Sequence, residues 1–205
     1  TFTGPSVYAD DLISAGWVDY HIRGDGEHAL YEFLKDNREY AGINSLEWRE
    51  LSKDEMRSLP MPDYSQYYFD TYQKKVLPLT GSRGCVRKCT FCDYIANWKV
   101  FNWRTADDIY NEMQVQYQKY GIRYFKFQDS LTNGNMKEFV RLTEMLSAYN
   151  TANPDKSFRW SGYYIFREHN SKTEYEWEMV AASGADSLAV GIENLNQHIR
   201  YAIGK

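Results

Sequence analysis

From residue 76 onward the chain repeats one pattern, a short β-prone run followed by an amphipathic helical stretch. That repeat restricts it to folds in which parallel strands are joined by helical crossovers. Val76–Thr80 is the first strand. Thr105-Ala-Asp-Asp108 reads as a capping box, with Ile109, Met113, Tyr117 and Tyr120 on one helical face and Gly121 as the stop. Tyr124–Gln128 is the second strand, and Phe139, Leu142, Leu146 and Tyr149 mark the helix after it. Phe158–Phe166 is the third strand, with Trp160, Tyr163 and Tyr164 divided between its two faces. Thr173 to Glu176 forms another capping box, whose helix carries Trp177, Val180 and Ala181 and stops at Gly184. Ser187–Ile192 is the fourth strand. The fold class is therefore α/β, with about four βα units of a curved parallel sheet. A closed barrel takes about eight, so the last strands are expected to be missing, leaving a sheet edge exposed or covered by something outside this sequence.

The first 75 residues read differently. Val18–Arg23 is a short strand, Gly24-Asp-Gly-Glu27 a turn, and Ala29–Leu34 the start of a helix. Leu59-Pro-Met-Pro-Asp-Tyr64, with two prolines in three residues, is an extended connector. The expected organisation is an N-terminal unit over 1–58, a linker over 59–75, and the sheet-forming unit over 76–205. The opening residues read as a strand-to-turn transition and Asn196–Lys205 as a helix cut short, so the expectation is a fragment of a longer protein.

All three cysteines fall within the run Gly84-Cys-Val-Arg-Lys-Cys-Thr-Phe-Cys-Asp93, as Cys85, Cys89 and Cys92, and the sequence has no fourth. A structural zinc or an ordinary 4Fe-4S cluster is closed by four protein ligands, so three thiolates on one loop leave a coordination position free for chemistry. Gly84 lets the backbone approach closely, and Arg87 and Lys88 are expected to lower the thiol pKa values. Two alternatives stand beside this reading. One is a disulfide with a spare thiol; the other is zinc completed by one of His21, His28, His169 and His198, none of which lies at zinc-knuckle spacing.

Composition narrows the partners. A net charge of −4 supplies no basic footprint for nucleic acid or an anionic membrane, and no apolar run approaches the roughly 18 residues of a membrane span. No charged-then-apolar leader opens the sequence, and the expected location is the reducing cytoplasm, where free thiolates persist. The 17% aromatic content reads as amphipathic packing and pocket lining.

With spacings of three and two and Phe91 just before the last cysteine, the run resembles the signature of the radical S-adenosylmethionine (radical SAM) superfamily. The resemblance implies that Cys85, Cys89 and Cys92 hold a 4Fe-4S cluster whose free iron chelates S-adenosylmethionine. An electron from the reduced cluster then cleaves a carbon–sulfur bond to give methionine and a 5′-deoxyadenosyl radical. It also implies a partial barrel, an electron donor such as flavodoxin or ferredoxin, and a small-molecule or peptide substrate. Gly4-Pro5-Ser6, Asp19-Tyr20, Arg23-Gly-Asp-Gly-Glu27 and Leu59-Pro-Met-Pro-Asp63 resemble the end of the cobalamin-binding domain and linker of the cobalamin-binding type. This implies the tail of a Rossmann-like domain, cobalamin as a further cofactor, and methyl transfer or a radical rearrangement as the reaction. Gly4, Pro5, Gly24, Gly26 and Glu27 are its candidate residues on that side. The rival function is a zinc- or cluster-binding module without turnover.

Ligands of parallel α/β sheets sit at the carboxyl ends of the strands. Asp129 closes the second strand, Arg167 the third and Glu193 the fourth, so all three are expected at the mouth beside the cysteines. As S-adenosylmethionine contacts, Asp129 would face the amine and sulfonium, Arg167 the carboxylate, and Glu193 the ribose hydroxyls or amine. Phe91 would pack under the cluster or place its backbone near the adenine.

Overall fold

The computed structural model describes residues 2–3, 9–44, 49–92, 94, 98–166 and 174–205. The first 58 residues, called the N-terminal unit below, contain β1 (Phe2–Thr3), α1 (Ala9–Ser14), β2 (His21–Ile22), α2 (Gly26–Leu34) and α3 (Lys53–Ser58) among the described residues, with β1 and β2 paired in parallel. The capping box expected for the Thr173 region falls partly outside the described residues.

Four parallel strands form the main sheet: β3 (Leu77–Leu79), then, after the short strands β4 (Ser82–Arg83) and β5 (Asn102–Trp103), β6 (Tyr124–Phe127), β7 (Arg159–Tyr164) and β8 (Ala185–Val190). Their spatial order, β3-β6-β7-β8, is their chain order, the arrangement of a barrel wall rather than of a sheet wound both ways from its middle. Helices α4 (Ala106–Tyr120), α5 (Met136–Ala152) and α6 (Glu174–Ala182) connect the strands, and α7 (Gln197–Ala202) follows β8.

The periodicity of the chain explains which side the helices cover. Leu77, Leu79, Phe125, Phe127, Trp160 and Tyr164 alternate onto one face and meet Ile109 and Met113 of α4 and Phe139, Leu142 and Leu146 of α5 in one core. The opposite face is open, with Lys126, Tyr163 and Ala189 exposed. Two buried polar residues interrupt the expected apolar stripe of α4. Glu112 forms an ion pair with Arg104, and Gln116 donates to the carbonyl of Pro62 at 2.9 Å. The second contact staples the linker to the helix.

The capping box of α4 is present: the Thr105 side chain accepts from the backbone of Asp108, and Asp108 reaches back to the backbone of Thr105. The helix stops at Gly121, whose φ is 69° and whose missing Cβ would meet nothing within 4 Å. Gly121→Ala therefore adds backbone strain without a clash. The expected loss is about 1 kcal/mol, read as a lower urea midpoint at unchanged slope.

The outer edge of β3 is covered by the chain itself. Leu79 accepts from the backbone of Gln128, so in a parallel ladder Pro78 and Thr80 face the other way. Pro78 has no N–H there, its carbonyl accepts from the Tyr64 hydroxyl at 3.4 Å, and the Thr80 carbonyl accepts from Arg104 at 3.1 Å. Helix α7 runs over Gln197–Ala202 with Ile203 as its C-cap, and Gly204 turns the backbone with φ 73°.

Candidate functional site

The cysteines lie on a loop closed at its base by an antiparallel ladder, Ser82 opposite Trp103 and Arg83 opposite Asn102. Gly84 stands at the start of the loop with φ 81°, where a Cβ would lie 2.2 Å from the Val100 carbonyl oxygen; only glycine lets the two limbs meet this closely. Its own carbonyl accepts from the Ser130 hydroxyl at 2.5 Å, tying the loop to the residues beyond β6.

Cys85, Cys89 and Cys92 are all free thiols, with Cys89 buried and the other two half-buried. The Cys85 sulfur accepts from the backbone N–H of Arg87 at 3.4 Å, and Cys92 N–H donates to the Cys89 carbonyl at 3.1 Å. The residues after α7 buttress this turn: Thr90 N–H donates to the Ile203 carbonyl at 3.0 Å, and the Cys89 thiol to the Gly204 carbonyl at 3.6 Å. Burial pushes the Cys89 thiol above its ordinary pKa; Lys205 opposes, Cys85 and Cys92 add to the rise, and Arg87 opposes. Arg87 lowers the Cys89 value as expected, but desolvation outweighs it and the net shift is upward.

The donor set can be tested against the cluster that three cysteines imply. Among the described residues no three His, Cys, Asp or Glu side chains converge tightly enough to hold a single metal ion. Yet Cys85 and Cys92 lie near enough to act electrostatically on Cys89. Three neighbouring thiols on one loop, with no fourth cysteine in the sequence, are a donor set that a cluster with one open position can use.

The strand-end candidates fall in different environments. Asp129 is 3% exposed, and its carboxylate turns inward: Oδ1 accepts from Gly81 N–H at 2.7 Å and Oδ2 from the Ser82 hydroxyl at 2.8 Å. Burial pushes it up to about 6 despite those hydrogen bonds and the nearby charge of Arg104. The void beside it, about 20 Å³, holds no more than a water. Asp129 therefore braces the backbone that enters the cysteine loop, and in this arrangement it does not face an open mouth.

Glu193 follows β8 with φ 62°, a left-handed conformation that costs a residue with a Cβ and is concentrated at functional sites. Its carboxylate receives Lys205 Nζ at 3.2 Å. The carboxylate lies back over Gly191, where a Cβ would stand 2.7 Å from Oε1. Glu193 and Lys205 thus stand at the carboxyl end of β8, and Lys205 is also close enough to act on Cys89. Phe91 is 54% exposed on the cysteine loop. Arg167 lies outside the described residues, as do Gly4 and Pro5.

Gly24, Gly26 and Glu27 form a joint. A Cβ on Gly24 would meet the Arg49 carbonyl oxygen at 1.9 Å, and Glu27 is engaged with Arg83, two residues before Cys85. Residues the sequence reading passed over also shape the site. Asn133 accepts from Ile165 N–H at 3.0 Å and donates to its carbonyl at 2.9 Å, locking the loop after β6 to the end of β7. Ser82, Arg83 and Ser130 brace the cysteine loop; the only sequence signal was the polar Ser-Arg pair beside Gly84.

No family model matches the chain. It is 24% identical over 170 residues to an anaerobic magnesium-protoporphyrin IX monomethyl ester cyclase of Cereibacter sphaeroides, covering 73% of this chain and 28% of that protein. It is 26% identical over 156 residues to bacteriochlorophyllide d C-12(1)-methyltransferase of Chlorobaculum tepidum, covering 73% of this chain and 32% of that one. The chain thus spans about a third or less of the curated relatives it matches. Among solved structures, the radical S-adenosylmethionine methyltransferase TsrM of Kitasatospora setae, with cobalamin and a 4Fe-4S cluster bound, superposes at a TM-score of 0.66 and 17% identity. That match covers 92% of this chain and 41% of TsrM. A second TsrM structure, with tryptophan substrate and an S-adenosylmethionine analogue, gives 0.65 and 19%. At these identities the likeness shows a shared fold.

Proposed function

We propose that this chain, a relative of the cobalamin-dependent radical SAM enzymes, is the cluster-bearing part of an enzyme that reductively cleaves S-adenosylmethionine. The observation that carries the reading is a set of three free thiols, spaced by three and two residues, on one loop beside the carboxyl ends of a parallel sheet, with no fourth cysteine in the sequence.

Cys85, Cys89 and Cys92 would hold a 4Fe-4S cluster, which when bound supplies the electron and the vacant iron position for the cofactor. The chain's own residues do the rest. Gly84 and the β4–β5 ladder fix the spacing of the loop limbs, and Ser130 anchors the loop to the sheet. The backbone at Ile203 and Gly204 holds the turn around Cys89. Glu193 and Lys205 present opposite charges near the same loop, suited to the amine and carboxylate of an amino-acid moiety. Phe91 offers an exposed aromatic surface to the adenine side, and Arg167 is assigned to the carboxylate. Asp129 is assigned to bracing the loop entry rather than to direct contact.

We assign cobalamin as a second cofactor of the complete protein, on the N-terminal side, from kinship with TsrM. Methyl transfer or a radical rearrangement on a small-molecule or peptide substrate follows, with a flavodoxin- or ferredoxin-type electron donor in the reducing cytoplasm. Among the described residues no helix is long and apolar enough to cross a membrane.

Anaerobic reconstitution of the full-length protein tests the proposal. The expected product is brown, carries roughly four irons per chain, and on reduction converts S-adenosylmethionine to methionine and 5′-deoxyadenosine. Tight zinc binding with no cleavage would overturn it in favour of a binding module.

A further inference from the structure

The neck of the cysteine loop is gripped from the N-terminal unit on both limbs. On the entering limb Arg83 Nη1 donates to Asp25 Oδ1 at 2.7 Å and to Glu27 Oε2 at 3.0 Å, while Nη2 pairs with Glu27 Oε1. On the leaving limb the Trp98 indole N–H donates to Asp25 Oδ1 at 3.1 Å. Lys99 N–H donates to Glu50 Oε1 at 2.5 Å, and the Asn102 amide to the Leu51 carbonyl at 2.7 Å.

Asp25, only 5% exposed, is the centre of this joint. It receives Arg83 and Trp98 on one oxygen and the Leu51 N–H, at 2.7 Å, on the other, and its own N–H donates to the Arg49 carbonyl at 2.7 Å. The close approach of Gly24 to Arg49 makes that seat rigid, since no other residue fits. A forked guanidinium can serve two carboxylates at once in fixed geometry, which an ammonium cannot. Without Arg83, Asp25 and Glu27 would confront each other with two uncompensated charges, one of them buried.

We propose that Arg83 is a positioning residue through which the N-terminal unit sets the shape of the cysteine loop. The two units are then energetically linked: what orders or disturbs residues 24–27 and 49–51 is felt at the thiols. The joint stands on geometry alone; its consequence for the cluster rests on the function proposed above.

The test uses the full-length protein with Arg83→Met, Arg83→Lys and Asp25→Asn. Hydrogen exchange is followed without the cluster, and the paramagnetic resonance spectrum of the reduced cluster is recorded after reconstitution. In Arg83→Met, amides between Gly84 and Trp103 should exchange roughly tenfold faster, while those of Tyr124–Phe127 and Arg159–Tyr164 keep their protection. The reduced-cluster spectrum should broaden into several species, with Arg83→Lys intermediate in both readouts. Equal acceleration in the sheet, or none in the loop, would overturn the proposal. If Arg83→Met fails to fold, Asp25→Asn must reproduce the localised pattern or the proposal falls. A wild-type protein that takes up no iron would sink the cluster reading, and the exchange data would still judge the joint.

Discussion

Cys89→Ala leaves the reconstituted protein without its cluster: bound iron falls from roughly four per chain to well under one, the brown absorbance disappears, and S-adenosylmethionine cleavage drops below detection. Cys89 is the decisive choice because it is the buried member of the three and sits at the turn held by Ile203 and Gly204. Two remaining thiols cannot hold a cube that already lacks a fourth protein ligand. Alanine fills less space than the thiol at a 6% exposed position, so the fold should tolerate it, and an unchanged unfolding midpoint in the cluster-free protein separates loss of ligand from loss of structure. Retention of a full cluster would contradict the assignment of the loop.

Near pH 4, where the folded carboxyl is still protonated, Asp129→Ala is the largest expected loss of stability, about 2–4 kcal/mol. The substitution strands Gly81 N–H and the Ser82 hydroxyl, both buried, with their main acceptor gone. Asp129→Asn keeps an acceptor for Gly81 and an approximately equal shape, so its cost should be smaller, and it removes an ionisation. The sign of the pH dependence follows from the upward shift. Because burial raises the carboxyl from 3.8 to about 6 on folding, its contribution is complete below the unfolded value and is lost as the pH rises through about 6.

Relative to wild type, the Asn variant should therefore gain roughly 2.4 kcal/mol between about pH 4 and about pH 8. Carboxylates held below their ordinary range, such as Glu55 at about 2, titrate at lower pH and cancel between the two proteins. Parallel urea-stability profiles for wild type and variant across that interval would refute the buried-acid account.

The sheet was legible because it is written in local periodicity. Val76–Thr80 and Tyr124–Gln128 each overrun the observed strand by a residue or two, and the capping box at Thr105 with its stop at Gly121 appears as read. Glu112 and Gln116 broke the helical stripe because their partners, Arg104 and Pro62, lie off the helix. The cysteine loop was legible as a set of ligands but not as a mechanical object. Arg83 meets Asp25 and Glu27 across 58 and 56 residues, a separation over which no local pattern operates. Asp129 shows the same limit: strand-end position fixed where the residue lies, while the direction of its carboxylate was decided by two buried donors near the end of a neighbouring strand.

The covered edge of β3 closes that side of the sheet to outside pairing. With Pro78 lacking a donor and the Pro78 and Thr80 carbonyls both taken, that edge presents no free ladder on which the sheet of another molecule could pair.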